Sequence, residues 1–415
     1  MNDSVSVAPD MASPEFVEDP YAAYTVYREK YPLLWHEGMQ SYIISRYVDV
    51  ELALKDPRFS TRNYAWQLEP LHGRTIVQMD GREHSTRRSL VQPAFRGRDL
   101  TEKFVPVIER NAAELIAGFA GDGHADLVAQ FANLLPINVI IDMLGLPRQD
   151  YAKFQDWYAT IIAFLSNLNG DPDVAAAGLS VKQEIADYLI PVIEARQADP
   201  GDDLLSVLCT AEIDGFRMTS EEVKGFVSLL LAAGGETTDK AIGSLMHNLL
   251  THPDQLAAVQ ADRSLVDAAF AETLRHSPMT QMVMREPTED VEVSGGTIPA
   301  GSTVTCLIGA ANRDTERFAA PDEFNLFRSD LDATRAFTAA AGHVGFGLGR
   351  HFCVGSFLAK AEVTIGVNAL LDMAPDLRSA PDAATVDVGL FTRGPDRVLV
   401  EFTAAGDRAE AGQPA

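Results

Sequence analysis

One long helix is the feature that most constrains the fold of this chain. The run from Ser220 to about Leu250 has a continuous helical pattern. Thr219 and Glu222 form a capping box at its start, and His252-Pro253 ends it. At 1.5 Å per residue this helix is about 45 Å long, which is enough to cross a whole domain.

Further helical patterns fill much of the chain, whereas strand patterns are few. Helices are predicted at about 101–119, 127–144, 149–167, 174–198 and 264–276. Strands are predicted at 41–45, at 397–402 and in the hairpin-like stretch 291–308, where glycine and proline supply the turns. The predicted fold class is mainly α with a smaller β portion, the β-rich part being about 31–46, 291–308 and 385–403.

The composition is typical of a globular protein with a large core. The 415 residues are 46% hydrophobic and 22% charged, and neither an internal repeat nor a low-complexity linker divides them. We therefore predict a single domain over residues 16–403. The polar ends at 1–15 and 404–415 are predicted to be disordered.

Charge and cysteine content exclude several classes of protein. The net charge of -25, without a run of Lys and Arg, argues against a nucleic-acid partner. The N-terminal stretch lacks the basic and apolar regions of a signal peptide, and polar residues interrupt the most apolar segment, 127–146, so no membrane span is expected. Three widely spaced cysteines fit a reducing cytoplasm.

The middle of the long helix, "LLLAAGGETTDK" (229–240), is unusual for a buried helix. Gly234 and Gly235 each cost roughly 1 kcal/mol relative to alanine. Two interpretations remain open at this point. The glycines allow a close helix crossing beside a solvated polar face, or they allow a flat ligand to lie against the helix with Glu236 and Thr237 beside it.

The stretch "FGLGRHFCVG" (346–355) places Cys353 among glycines. Four interpretations compete for this thiol: a small buried hydrophobe, a zinc ligand with His351, a nucleophile with His343 or His351 as its base, and a thiolate ligand of haem iron. Glycines would let the backbone approach a macrocycle and turn amide N–H groups toward the sulfur.

This stretch also resembles, residue for residue, the cysteine loop of the cytochrome P450 monooxygenases, with Phe346, Gly349, Cys353 and Gly355 at its fixed positions. Three further motifs follow the family's pattern: "AGGETT" (233–238), "ETLR" (272–275) and "FNLFR" (324–328). The resemblance covers essentially the whole chain. It implies the cytochrome P450 fold, in which a long central distal helix lies over a cysteine-ligated haem.

The resemblance also implies roles for individual residues. Cys353 would be the axial ligand of the haem iron, and the acid and alcohol Glu236 and Thr237 would be the catalytic pair that delivers protons. A buried structural clamp would consist of Glu272, Arg275 and Arg328. Residues of the cysteine loop and the long helix, with partners of the haem propionates, would bind the cofactor: His84, Arg88, Arg285, Phe346, Gly347, His351, Cys353, Gly355, Ala233 and Gly234.

A substrate pocket is implied by family position alone. Its residues would be mostly apolar, with Gln281 as a polar anchor: Trp66, Leu68, Leu230, Gln281, Met282, Val283 and Phe391. Each of these positions is equally well explained as ordinary core. They predict a hydrophobic small molecule as the substrate.

The implied function is a cytoplasmic haem-thiolate monooxygenase of the soluble bacterial type, active in secondary metabolism. It would hydroxylate or epoxidise a hydrophobic small molecule with one atom of O2, and it would contain haem b (iron protoporphyrin IX). Electrons from NAD(P)H would arrive through a ferredoxin and a ferredoxin reductase, and the protein would be a monomer with no nucleic-acid or membrane partner. Two alternatives stay open: an oxidation without oxygen insertion, such as ring coupling or desaturation, and haem binding without turnover.

Overall fold

The computed structural model describes residues 8–381 and 384–406. These divide into two compact units, and each unit takes its residues from three stretches of the chain. The first unit comprises the residues up to Asn63, Ala271–Cys353 and Val386–Asp396. The second comprises Tyr64–Phe270, Val354–Thr385 and the stretch from Arg397 onward.

The described residues are largely helical. Their α-helices are α1 Pro14–Glu18, α2 Pro20–Lys30, α3 Tyr47–Lys55, α4 Ala65–His72, α5 Gly81–Val91, α6 Gly97–Asp99, α7 Val105–Ala117, α8 Leu135–Met143, α9 Tyr151–Leu165, α10 Pro172–Ala198, α11 Leu204–Thr210, α12 Ser220–Thr251, α13 Pro253–Ala261, α14 Val266–His276, α15 Ile308–Ala311 and α16 Ser356–Met373.

The strands are shorter and lie mainly in the first unit. They are β1 Leu33–His36, β2 Ser41–Ile44, β3 Phe59–Ser60, β4 His124–Asp126, β5 Met282–Pro287, β6 Val291–Val293, β7 Gly296–Ile298, β8 Val304–Leu307, β9 Arg378–Ser379, β10 Asp387–Val388, β11 Gly394–Pro395 and β12 Leu399–Glu401.

A five-stranded sheet of order β1-β2-β8-β5-β3 organises the first unit. β2 and β8 are parallel, and the other neighbours are antiparallel. Successive residues of a strand face opposite sides, and here Ile43 and Ile44 contribute to two separate hydrophobic clusters. The sheet therefore has a core on each face. The predicted hairpin in 291–308 is present as β6 and β7, followed by β8.

The second unit is built around α12, against which α8, α9, α10 and α16 pack. The helix continues without a break through its two central glycines. A Cβ atom on Gly235 would lie 2.7 Å from Ile137 Cδ1 and 2.8 Å from Tyr158 Cε2. Only glycine fits at this position, so Gly235 serves a close helix crossing, the first of the two roles open to these glycines.

The predicted helix at 127–144 is interrupted. A π-helical turn covers Val128–Ala132, and α8 begins only at Leu135. The cause is Pro136 in the first turn of α8, because proline lacks the N–H and its ring clashes with the preceding turn. The prediction of one continuous helix was wrong here.

Part of the stretch 1–15, which the sequence predicts to be disordered, packs into the core. Met11 is only 1% exposed, and the Ser13 side chain accepts a hydrogen bond from the Phe16 N–H at 3.2 Å to begin α1. At the other end, the Ala405 N–H donates to the Ala120 carbonyl at 2.9 Å. The predicted disorder of 1–7 and 407–415 lies outside the described residues.

Within the described part of the chain, no helix is both long and apolar enough to cross a membrane.

Candidate active site

The cysteine loop of the first unit is held by its own backbone. The Cys353 N–H donates to the Phe346 carbonyl at 2.9 Å, and the Gly347 N–H donates to the Val344 carbonyl at 2.9 Å. Gly347 and Gly349 have φ of 70° and 68°, the left-handed conformation that favours glycine. Cys353 is half-buried, unlike Cys209 and Cys306, which are buried.

Gly349 also brings the loop close to α3. A Cβ atom there would lie 2.6 Å from the Leu54 carbonyl oxygen, so a side chain would push the loop away. Next to the loop, His343 is fully buried and its Nδ1 accepts from the Gly345 N–H at 3.1 Å. Burial lowers the pKa of His343 to about 4, so this imidazole is neutral and shapes the loop.

The zinc interpretation of Cys353 has no support. Among the described residues, no group of three or more His, Cys, Asp or Glu side chains is placed to hold a metal ion. A haem iron, by contrast, needs a single protein thiolate on one side.

The predicted clamp of Glu272, Arg275 and Arg328 is assembled in the first unit. Arg275 Nε and Nη2 donate to both carboxylate oxygens of Glu272 at 2.8 and 2.7 Å, and both side chains are fully buried. Arg328 Nε lies 2.9 Å from Glu272 Oε2. Since one carboxylate serves two guanidinium groups, loss of Glu272 would remove the carboxylate that pairs with the buried Arg275 and leave Arg328 with Asp330.

Asn325 and Leu326 stand in the clamp segment where aspartate and proline are frequent in the family. The turn forms nevertheless. The Asn325 N–H donates to Glu272 Oε1 at 2.9 Å, and its side-chain oxygen accepts from the Phe327 N–H at 2.9 Å. An asparagine can make this local turn as an aspartate does.

Arg285 and His351, the firmer predicted propionate partners, both lie in the first unit. Arg285 on β5 is buried, and its Nη1 donates to the Met284 carbonyl at 2.7 Å. His351 Nε2 lies 3.3 Å from the Thr61 hydroxyl, a partner that sequence reasoning did not identify. The other two predicted partners, His84 and Arg88, lie one turn apart on α5 in the second unit, the first buried and the second half-buried.

One face of α12 in the second unit is open along an otherwise buried helix. Leu230, Ala233, Gly234 and Thr237, at helical spacings of three and four, are half-buried or exposed. We call these four residues the open strip. The missing side chain of Gly234 serves packing against α8, because a Cβ atom there would lie 3.0 Å from Ile140 Cδ1.

Glu236 and Thr237 lie side by side on this helix. The Thr237 hydroxyl donates to the Ala233 carbonyl at 2.8 Å. Glu236 Oε1 lies 3.8 Å from Lys240 Nζ, so its ion pair is with a residue of its own helix. Both side chains are half-buried, which is suitable for groups that must exchange protons.

The predicted pocket residues separate into two groups. Leu68 and Trp66 lie on α4 in the second unit, the first buried and the second 64% exposed, and Leu230 belongs to the open strip. In the first unit, Met282 is part of a hydrophobic cluster around Tyr24, and Phe391 packs against that cluster. Val283 packs against the other cluster, so β5 is better described as core than as pocket wall.

Gln281 does not suit the predicted role of polar anchor. Its Nε2 donates to the Pro278 carbonyl at 2.6 Å and to the Tyr21 hydroxyl at 3.3 Å, and its Oε1 accepts from the Tyr24 hydroxyl at 3.0 Å. The side chain is only 1% exposed. Its hydrogen-bonding groups are therefore occupied inside the protein, and we correct this assignment.

Comparison with known proteins identifies the family of this chain. The family model described as Cytochrome P450 matches residues 14–373. Pulcherriminic acid synthase of Bacillus subtilis (strain 168) is 39% identical over 395 residues, which is 95% of this chain and 97% of that protein. The cytochrome P450 monooxygenase PikC of Streptomyces venezuelae is 36% identical, over 88% of this chain and 86% of that protein.

Among solved structures, CYP109Q5 from Chondromyces apiculatus superposes with a TM-score of 0.85 at 33% identity, covering 96% of this chain and 98% of that one. The chain belongs to the cytochrome P450 family. It is thus an oxidoreductase that incorporates molecular oxygen, uses haem b, takes electrons from NAD(P)H through redox partners and acts on small molecules. The half-buried Cys353 in its glycine-rich loop is the feature that fits this cofactor.

Proposed function

We propose that this protein is a haem-thiolate monooxygenase in which Cys353 is the iron ligand and Glu236 with Thr237 delivers protons. The observation that carries the proposal is the cysteine loop, where left-handed glycines and the bond from the Cys353 N–H to the Phe346 carbonyl hold one half-buried cysteine. The arrangement of α12 supports the second part. Its open strip includes Thr237 beside Gly234 on the accessible face of the helix.

The chain's own residues would bind the cofactor and move protons. When bound, haem with a thiolate ligand supplies the electron density that favours O–O cleavage. Cys353 would bind as the thiolate, and Arg285, His351, His84 and Arg88 would neutralise the propionates through charge-assisted hydrogen bonds.

Glu236 and Thr237, the proposed proton-delivery pair, each have a defined partner on α12. The Thr237 hydroxyl donates a hydrogen bond to the Ala233 carbonyl, so the lone pairs of Oγ1 are available to accept a hydrogen bond at the open strip. Glu236, held loosely by Lys240 at 3.8 Å, would bring protons from solvent to that hydroxyl.

We expect Thr237→Ala to uncouple oxygen consumption from product formation. Loss of a positioned proton donor costs about 10²-fold or more in the step it serves, so most reducing equivalents should appear as peroxide. The measurement is the ratio of product to NAD(P)H consumed, with peroxide determined in parallel.

Thr251→Ala is the matched control for this variant. Thr251 lies at the end of the same helix, and its hydroxyl makes the same type of bond, to the His247 carbonyl at 2.8 Å. Thr251→Ala should leave the ratio of product to NAD(P)H consumed unchanged. Equal coupling in the Thr237 variant and the wild type would contradict the proton-delivery role.

The first experiment is the carbon monoxide difference spectrum of the dithionite-reduced, haem-loaded protein. We expect the Soret band at the red-shifted position of thiolate ligation, because the sulfur donates electron density to the iron. Folded, haem-loaded protein without that band would refute the proposed ligand.

We further infer that a ferredoxin and a ferredoxin reductase supply the electrons, that the substrate is a hydrophobic small molecule, and that the protein acts as a cytoplasmic monomer. Relatives are named as a monooxygenase, an epoxidase and hydroxylases, which favours oxygen insertion over coupling. Reconstitution with a ferredoxin system and mass analysis of products tests this. A gain of one oxygen supports insertion, whereas a loss of two hydrogens favours coupling or desaturation.

A further inference from the structure

The connection between α9 and α10, residues 166–171, contains the one Asn-Gly pair of the chain, Asn169-Gly170. Both residues of the pair are exposed and lie in the turn between the two helices. Over residues 8–381 and 384–406, no group forms a hydrogen bond with the Asn169 side chain. The side-chain amide of Asn169 is therefore open to water and able to rotate.

The residue that follows Asn169 leaves its side chain easy to reach from the backbone. Gly170 has φ of 68°, and a Cβ atom built on it would meet nothing within 4 Å, so the space around this residue is open. The Gly170 N–H donates to the Asn167 carbonyl at 3.4 Å, which is longer than an ordinary N–H···O bond. The backbone nitrogen of Gly170 is thus only weakly held.

The other asparagine of this connection is in the opposite situation. Asn167 Nδ2 donates to the Asp171 carbonyl at 2.8 Å, and Asn167 Oδ1 accepts from the Asp171 N–H at 2.8 Å. Asn167 is half-buried and is followed by a bulky residue, Leu168. These two hydrogen bonds, the Asn167–Asp171 pair, fix the Asn167 amide and join the two ends of the turn.

We propose that Asn169 is a site of spontaneous deamidation, with solvent water as the co-reactant. The backbone nitrogen of Gly170 attacks the side-chain carbonyl carbon of Asn169 and forms a new C–N bond. The bond from that carbon to the side-chain nitrogen breaks, and ammonia leaves with the proton that the Gly170 nitrogen gives up. Water then opens the cyclic imide at either carbonyl and yields aspartate or isoaspartate. Nothing is oxidised or reduced.

The two products differ in their effect on the connection. Aspartate keeps the length of the main chain, and its new carboxylate precedes α10, whose N-terminal end favours negative charge. Isoaspartate leads the main chain through the side-chain carbon, which adds one backbone atom between Asn167 and Asp171. The Asn167–Asp171 pair spans this stretch and has to lengthen or break. Isoaspartate therefore loosens the connection, whereas aspartate does not.

The test is peptide mapping by mass spectrometry of the full-length, haem-loaded protein during incubation at neutral to mildly alkaline pH. We expect aspartate and isoaspartate, separated by chromatography, to accumulate at position 169 while Asn167 stays intact. The deprotonated Gly170 nitrogen is the attacking group, so the rate should rise about tenfold per pH unit. An unconverted Asn169, or conversion of Asn167 at the same rate, would overturn the proposal.

Asn169→Gln and Asn169→Asp are the matched variants. Asn169→Gln, whose longer side chain does not form this imide readily, should gain no negative charge at position 169 on the same timescale. Asn169→Asp carries the charge of the product without the extra backbone atom. Accumulation of charge at position 169 at an equal rate in Asn169→Gln would refute attack by the Gly170 nitrogen.

Limited proteolysis within residues 166–171 reads the loosening of the connection. Incubated wild-type protein should be cleaved there about fivefold faster than fresh protein, as expected when the net contribution of a hydrogen bond is lost. Asn169→Asp should be cleaved at the rate of fresh wild type. Equal cleavage of incubated and fresh protein, or faster cleavage of Asn169→Asp, would contradict the predicted effect of isoaspartate. Because this chemistry needs no turnover, its outcome is independent of the proposed function.

Discussion

Replacement of Cys353 by alanine is expected to abolish the red-shifted Soret band of the reduced carbon monoxide complex completely. The methyl group of alanine offers no donor atom to iron, and the neighbouring loop residues supply no second thiol, because the other cysteines are Cys209 and Cys306. The fold should survive, since the loop is held by backbone bonds that the substitution retains. The measurements are the difference spectrum, bound haem and far-UV circular dichroism.

The other two cysteines are the controls for this variant. Both are buried, and burial raises the pKa of Cys209 to about 11 and that of Cys306 to about 12, so both remain thiols at neutral pH. Cys209→Ala and Cys306→Ala should retain the thiolate spectrum. A thiolate band in Cys353→Ala, or its loss in a folded Cys306→Ala, would mean that another residue is the ligand.

Glu272→Gln is expected to destabilise the protein more than any other substitution proposed for the clamp or the proton pair. Glu272 is the counterion of both Arg275 and Arg328 in a buried network, and removing one partner of a buried ion pair costs about 3–5 kcal/mol. The free energy of unfolding in urea measures this loss. Haem retention should fall with it, because Arg275 also donates to the backbone carbonyls of Asn312, Pro321 and Glu323.

Asp330→Asn tests whether the loss of stability expected for Glu272→Gln is caused by the burial of Glu272. Asp330 pairs with the same arginine, Arg328, at 2.6 Å, but its side chain is 24% exposed. Its removal should cost about 1 kcal/mol or less. Similar losses of unfolding free energy in Asp330→Asn and Glu272→Gln would contradict the view that the clamp stabilises the protein because Glu272 is buried.

Local signals explain most of what the sequence alone could predict. The capping box at Thr219 and Glu222 marked the start of α12, and the structure begins this helix at Ser220 and ends it at Thr251. The cysteine loop and the two segments of the clamp were found because each resembles a short motif of the family. Such features depend on a few consecutive residues, which are visible without knowledge of the fold.

Features that depend on distant residues were missed. β5 was not predicted from the sequence. Its residues pair with β8 and β3, and they show no clear alternation of apolar and polar side chains. The burial of Gln281 depends on Tyr21 and Tyr24, which lie 260 and 257 residues earlier in the chain. The hydrogen bonds of the buried Asp239 likewise depend on Asn133, which lies in a distant segment of the chain.

The parallel pairing of β2 with β8 has a consequence for how this protein is made. Ser41 and Thr305, whose hydroxyl groups lie 2.8 Å apart across these strands, are separated by 264 residues. At about 5–20 residues per second, a ribosome needs roughly 13–50 s to make the intervening chain. During that time β8 does not yet exist to cover the edge of β2, and unpaired strand edges promote aggregation. Co-expression with a chaperone that covers nascent strands should therefore raise the yield of folded protein.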